Sequence, residues 1–114
     1  MHYKPIVKQA QYLVWEDERS GELLYTGILG EHAWAPRTFV MKSEEILKFK
    51  SQGEKYLEDL RMELEGNFNT DQWTSRFIPD FEKQPEVRSI IFDRSYSIPP
   101  EKKAGFFAKL FRPN

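Results

Sequence analysis

The stretch Ser43–Gly66, SEEILKFKSQGEKYLEDLRMELEG, is the segment whose periodicity settles its own structure. Ile46, Phe49, Gly53, Tyr56, Leu57, Leu60 and Leu64 recur at helical spacing. They predict one amphipathic helix, with Glu54, Glu58, Asp59, Arg61 and Glu65 on the opposite face. Ser43 is the expected N-cap, since its hydroxyl can accept from an orphan backbone N–H. Glu44 and Glu45 fall in the first turn, where negative charge complements the helix dipole. Ile46 at the third helical position argues against a capping box. Gly66 is the expected C′ residue. Gly53 lies on the apolar stripe and costs about 1 kcal/mol relative to Ala. Either the helix breaks there, or the missing side chain admits a strand or an aromatic ring. A chain with nine Phe, five Tyr and three Trp favours the second reading.

The rest of the chain is placed around that helix. Residues 1–9 read as an arm or edge, because Pro5 cannot donate to a central ladder. Residues 11–16, QYLVWE, and 22–29, ELLYTGIL, read as two strands of a hairpin about the polar turn DERSG at 17–21. Tyr12 and Val14 would share one face, Leu13 and Trp15 the other. Both faces are apolar, so the sheet is either buried on two sides or curled into a barrel. Gly27 suits a bulge or bend. Residues 30–36 read as a loop and 37–41, RTFVM, as a third strand. Thr70 could cap a short helix through Phe77, with Pro79 stopping it. Residues 87–94, VRSIIFDR, read as a late strand and 101–111 as a short helix. The expectation is an α+β fold: a small curled antiparallel sheet, preferably a half-open β-barrel, with one long amphipathic helix and short additional helices.

A length of 114 residues fits a single domain spanning 1–114, able to bury a core without staples. Cysteine is absent, which removes disulfides, a thiol nucleophile and thiolate-bound metal. No apolar run approaches the roughly 20 residues of a membrane span. Residues 1–18 hold no signal-peptide pattern, so a cytoplasmic protein is expected. Formal net charge is −1. Its distribution is uneven: residues 43–66 carry seven acids and four bases, and residues 101–114 carry one acid and four bases. An acidic helix therefore accompanies a basic amphipathic terminal segment.

No catalytic pattern emerges. The two histidines, His2 and His32, cannot close a zinc site without carboxylates, so neither metal nor cofactor is expected. G-x-S-x-G, G-x-G-x-x-G and phosphate-cradling loops are missing from the sequence. The carboxylate clusters Glu16-Asp17-Glu18, Glu44-Glu45 and Glu58-Asp59 sit at expected turns or on a polar helix face and read as solvated surface. The expectation is a non-enzymatic protein. Rings near cations carry more information, because bases stack on rings while cations meet phosphates. Trp15, Tyr25, Trp34, Arg37 and Arg94 are the candidate RNA-binding set, with Trp73 beside Arg76 a further pair. A Trp is nevertheless more often core than ligand. In the tail, Lys102, Lys103, Phe106, Phe107 and Phe111 form a candidate partner-docking face, against the plainer reading that this segment packs on its own domain.

The order YLVWED (12–17), SGE (20–22), TGILGE (26–31) and Trp34, followed by a strand and then SEEILKFK (43–50) and GEKYLEDL (53–60), resembles the PrgU-like family. These are small cytoplasmic regulators from conjugative plasmids of Gram-positive cocci, encoded with surface adhesins. The resemblance covers roughly residues 10–70 and rests on layout, so no functional residue is carried over. It implies a PUA-like fold, RNA binding, and a role limiting production of a plasmid- or element-encoded surface protein. The alternative is a protein-interaction accessory or inhibitor module that docks a partner through its helix or tail.

Overall fold

The computed structural model describes residues 2–29, 35–93, 95, 96 and 98. Strands β1 (Tyr3–Lys8), β2 (Tyr12–Asp17), β3 (Leu23–Leu29) and β4 (Ala35–Val40) form an antiparallel sheet in the order β1-β2-β3-β4. Helices α1 (Ser43–Gln52), α2 (Glu54–Asn67) and α3 (Asp71–Thr74) follow, then a 3₁₀ turn at Phe81–Lys83 and α4 (Pro85–Phe92). The fold is α+β, as expected. No helix among the described residues is long and apolar enough to cross a membrane.

The β2–β3 hairpin follows directly from local chemistry. Asp17 accepts from the Arg19 N–H at 2.8 Å, Ser20 Oγ accepts from the Glu22 N–H at 3.2 Å, and Gly21 takes φ +78°. These are the turn bonds that short polar side chains and glycine supply. Tyr12 pairs with Gly27 and Glu16 with Leu23, which puts alternate residues on opposite faces. Tyr12 and Val14 enter one core with Tyr25, Phe49, Leu57, Leu60 and Leu64. Leu13 and Trp15 enter a second core with Leu24, Ile28, Phe81, Val87 and Ile91. Each large side chain so buried contributes about 1.5–3 kcal/mol.

That division decides between the two expected uses of a doubly apolar sheet. The sheet is not closed: β1 and β4 are its edges. Its faces are instead covered by separate layers, α1 and α2 on one side, the 3₁₀ turn and α4 on the other. Pro5 sits on edge strand β1, as its missing donor requires. A register shift between Pro5 and Val7 bulges that strand, and Ile6 and Val7 both join the first core.

Residues 43–66 do not form one helix. Gly53 adopts φ +68°, ψ −147° between α1 and α2, and its N–H closes α1 on the Phe49 carbonyl at 2.8 Å. Only glycine enters that region readily. A Cβ there would meet nothing within 4 Å, so the close approach expected at Gly53 is not made. It is made at Gly27, where a Cβ would lie 3.2 Å from Leu64 Cδ1 and 3.3 Å from Tyr25 Cε1. Gly27 pairs in register with Tyr12 and Arg37, so it marks neither bulge nor bend but the place where α2 rests on the sheet.

Three helix boundaries also differ. Lys42, not Ser43, is the N-cap, and its backbone N–H donates to Glu45 Oε1 at 2.8 Å. Moving the cap by one residue makes Glu45 the third helical position, so the capping-box carboxylate is present after all. Gly66 lies inside α2, which runs on to Asn67. Thr70 occupies the α3 N-cap position, but α3 ends at Thr74, because Phe77 leaves it to bridge Phe39 of β4.

The late strand is a helix. Residues 87–92 belong to α4, opened by Pro85, whose fixed φ suits the first helical turn. Val87, Ile90 and Ile91 stand at i, i+3 and i+4, and that face packs into the second core. Their β-branching suggested a strand, and the tertiary setting overrides that propensity. The expected helix at 101–111 lies outside the described residues.

Candidate functional site: a basic cleft beside β4

The chain leaving α3 runs along the outer edge of β4. Ile78 N–H donates to the Thr38 carbonyl at 2.8 Å, which continues the pairing begun at Phe39 and Phe77. Asp80, at φ +66°, turns the chain into the 3₁₀ segment. A cleft of about 470 Å³ opens between this segment, β4 and α4. Pro36 and Arg37 come from β4, Lys83 from the 3₁₀ turn and Arg88 from α4. Phe77, Ile78 and Pro79 supply apolar wall, and Asp80 and Glu82 supply acid. The volume falls in the range of about 300–1,000 Å³ found for small-molecule sites.

The cations are differently engaged. Lys83 Nζ lies 2.8 Å from Asp80 Oδ1, with both side chains largely exposed. Arg88 stands over the Phe92 ring at 5.4 Å. Arg37 Nη1 donates to its neighbour's carbonyl at Pro36, 2.9 Å away. A surface pair such as Lys83–Asp80 is worth about 0–1 kcal/mol, so Lys83 is readily redirected to another anion.

Glu82 is the unusual member. Its Oε2 is buried without a hydrogen-bond partner among the described residues. Burial pushes its pKa up, against the opposing pull of its own backbone N–H, the Thr38 hydroxyl and the Arg37 charge, and Asp80 adds to the rise. Behind it runs a buried polar thread. Trp15 Nε1–H donates to Thr26 Oγ1 at 2.9 Å, and Thr26 Oγ1 lies 2.7 Å from Thr38 Oγ1. Indole nitrogen only donates and carboxylate only accepts.

The anticipated sites meet the fold unevenly. Arg37 lines the cleft. Trp15 is wholly buried in the second core, its ring edge-on to Phe81 at 5.6 Å. Tyr25 is wholly buried in the first, where its O–H donates to the Leu57 carbonyl at 2.9 Å and burial raises its pKa. The two rings lie in different cores and neither offers a face to a base, which corrects their assignment as stacking surface. Trp34, Arg94, Lys102, Lys103, Phe106, Phe107 and Phe111 lie outside the described residues, as does His32.

The Trp73–Arg76 pair is structural. The Arg76 guanidinium stands 4.4 Å from the Phe39 ring and 4.9 Å from Trp73, and its Nη2 donates to the Val40 carbonyl at 2.9 Å. It grips Glu45 in bidentate fashion, Nη1 to Oε2 at 2.9 Å and Nη2 to Oε1 at 2.6 Å. Glu45 is thus buried, although the Glu44-Glu45 pair read as solvated. Burial alone would raise its pKa, but the hydrogen bonds from Arg76 and from the Lys42 N–H hold it below the ordinary value.

Sequence reasoning missed Glu82, Lys83 and Arg88. The available signal was a carboxylate beside an apolar Phe81 in a Pro-flanked connector, which is faint without knowing that Phe81 enters the core. Among the described residues no group of three or more His, Asp or Glu could hold a metal ion. Comparison with known protein families, with curated proteins and with solved structures returns no match.

Proposed function

We propose that the protein is a small cytoplasmic regulator that holds single-stranded RNA in the cleft beside β4, with Arg37, Lys83 and Arg88 against the phosphates. The observation that supports this reading is the convergence of three cationic side chains, from three separate elements, on one open cleft with an apolar wall. Phosphate affinity is largely electrostatic. With a net charge of −1 it must come from such a local cluster. The acidic α1–α2 layer repels phosphate and confines the strand to the β4 side. Phe77, half-buried against the first core, supplies apolar wall for the strand to rest on. A PUA-like kinship and a role in limiting a surface protein belong to the same proposal and rest on the resemblance of residues 10–70 to PrgU-like regulators.

Fluorescence anisotropy with a labelled unstructured oligonucleotide at low salt tests it. Binding should weaken steeply with salt, and the R37A/R88A double variant should lower the logarithmic salt slope by about two. Absence of binding at low salt would sink the RNA reading. A second reading, a protein-docking accessory module, is favoured by Leu47 and Met62. Their side chains on α1 and α2 are 63% and 65% exposed, the most of any large apolar residue among those described. In that case the same titration shows no RNA affinity.

A further inference from the structure

The cleft holds one group that phosphate binding does not use. Glu82 lies among three cations, yet its Oε2 is buried with no hydrogen-bond partner among the described residues. A buried acceptor left unmade is costly and calls for a physical account. The Thr38 hydroxyl, which favours the ionised form of Glu82, is itself wholly buried and backed by Thr26 and Trp15. An ionised carboxylate only accepts, so the unpartnered Oε2 holds acceptor capacity in reserve. Such a group, beside cations, is complementary to a ligand that carries N–H donors a short distance from a phosphate. A nucleotide of single-stranded RNA has that form when its base is unstacked and its Watson–Crick edge is free.

We propose that Glu82 is a specificity-determining residue of the cleft, accepting hydrogen bonds from the base edge while Arg37 and Arg88 hold the phosphate. This rests on the RNA reading of the same cleft and goes further, since it selects among bases. Guanine presents two adjacent donors, N1–H and the exocyclic amino group, and matches a carboxylate's two oxygens. Uracil presents one N–H between two carbonyls, which would face the carboxylate with like partial charge. The cleft therefore prefers guanine over uracil. Engagement requires the carboxylate to turn toward the cleft, because Oε2 has no exposed surface.

The test compares a labelled oligouridine with the same strand carrying one central guanosine, by anisotropy at low salt, for the wild type and E82Q. Wild type should bind the guanosine strand roughly tenfold tighter, in line with one good bidentate base contact. E82Q, which replaces one acceptor by a donor and removes a negative charge from the cleft, should lose that preference while binding oligouridine at least as tightly as wild type. Equal wild-type affinity for both strands overturns the selectivity at Glu82 and leaves RNA binding standing. No affinity for either strand defeats the RNA reading itself, and this inference with it. Titration of wild type with guanosine and uridine monophosphates, followed by backbone amide shifts, supplies a second measurement independent of any variant. Shifts at Arg37, Thr38 and Glu82 that are larger for the guanosine nucleotide support the assignment, and equal shifts oppose it.

Discussion

At the scale of single residues, the Arg76–Glu45 clamp fastens three elements at once. It joins the first turn of α1, the end of β4 and the chain beyond α3. Both side chains are at most 15% exposed, so removing one leaves the other desolvated and unpaired. Arg76→Ala should cost about 3 kcal/mol in urea unfolding. Arg76→Lys, which cannot reproduce the bidentate fork, should also destabilise the fold, though less. A carboxyl whose pKa is lowered on folding contributes stability above its unfolded value, near 4.5 here, and loses it as pH falls through the folded value. The acid-side decline of stability below that point should therefore shrink in Arg76→Ala, and a pH series of unfolding midpoints measures this.

Among the elements, three glycines answer differently to the same change. Gly27→Ala places a methyl group against Leu64 and Tyr25, both wholly buried, and the Tyr25 ring is tethered to the Leu57 carbonyl. Neither neighbour has room to give, so a loss of about 1–3 kcal/mol is expected from overpacking. Gly53→Ala meets no neighbour but forces a residue with a Cβ into a conformation almost reserved for glycine. It should cost about 1–3 kcal/mol by strain alone. Gly66→Ala sits on an exposed helical turn with open space around it and should stabilise by about 0.5 kcal/mol. Thermal unfolding of the three variants checks the order; a stabilising Gly27→Ala would contradict the packing of α2 on β3.

Across the whole molecule, Glu45 and Glu82 tilt stability in opposite directions with pH. A carboxyl whose pKa is raised on folding favours the fold most below its unfolded value and loses that contribution as pH rises through the folded one. Glu82 should thus lower stability toward neutral pH, while the Glu45 pair lowers it in acid. E82Q should flatten the neutral-side decline, and the difference between its unfolding profile and that of the wild type isolates this group. Protonation of Glu82 also removes a negative charge from the cleft, so oligouridine affinity should rise and the preference for guanosine fade as pH drops in wild type, with less change in E82Q. Anisotropy at constant ionic strength reads this directly.

What the sequence by itself determined was local. The alternation in residues 12–15 assigned Tyr12 and Val14 to one face and Leu13 and Trp15 to the other, because a strand's period is fixed by its backbone. The polar turn, the edge position of Pro5 and the apolar stripe of residues 46–64 were legible for the same reason. Only the tertiary structure decided how the doubly apolar sheet is closed off, since layers and a barrel bury the same alternating side chains. It decided that Val87, Ile90 and Ile91 form a helix face, because the second core needed a covering layer there. It moved the close approach from Gly53 to Gly27, a contact between residues 37 positions apart. Apart from Arg37, which the sequence already offered, the candidate site belongs to this second class. Arg37, Glu82 and Arg88 are far apart in the chain, and only the path of residues 77–83 along β4 brings them to one cleft.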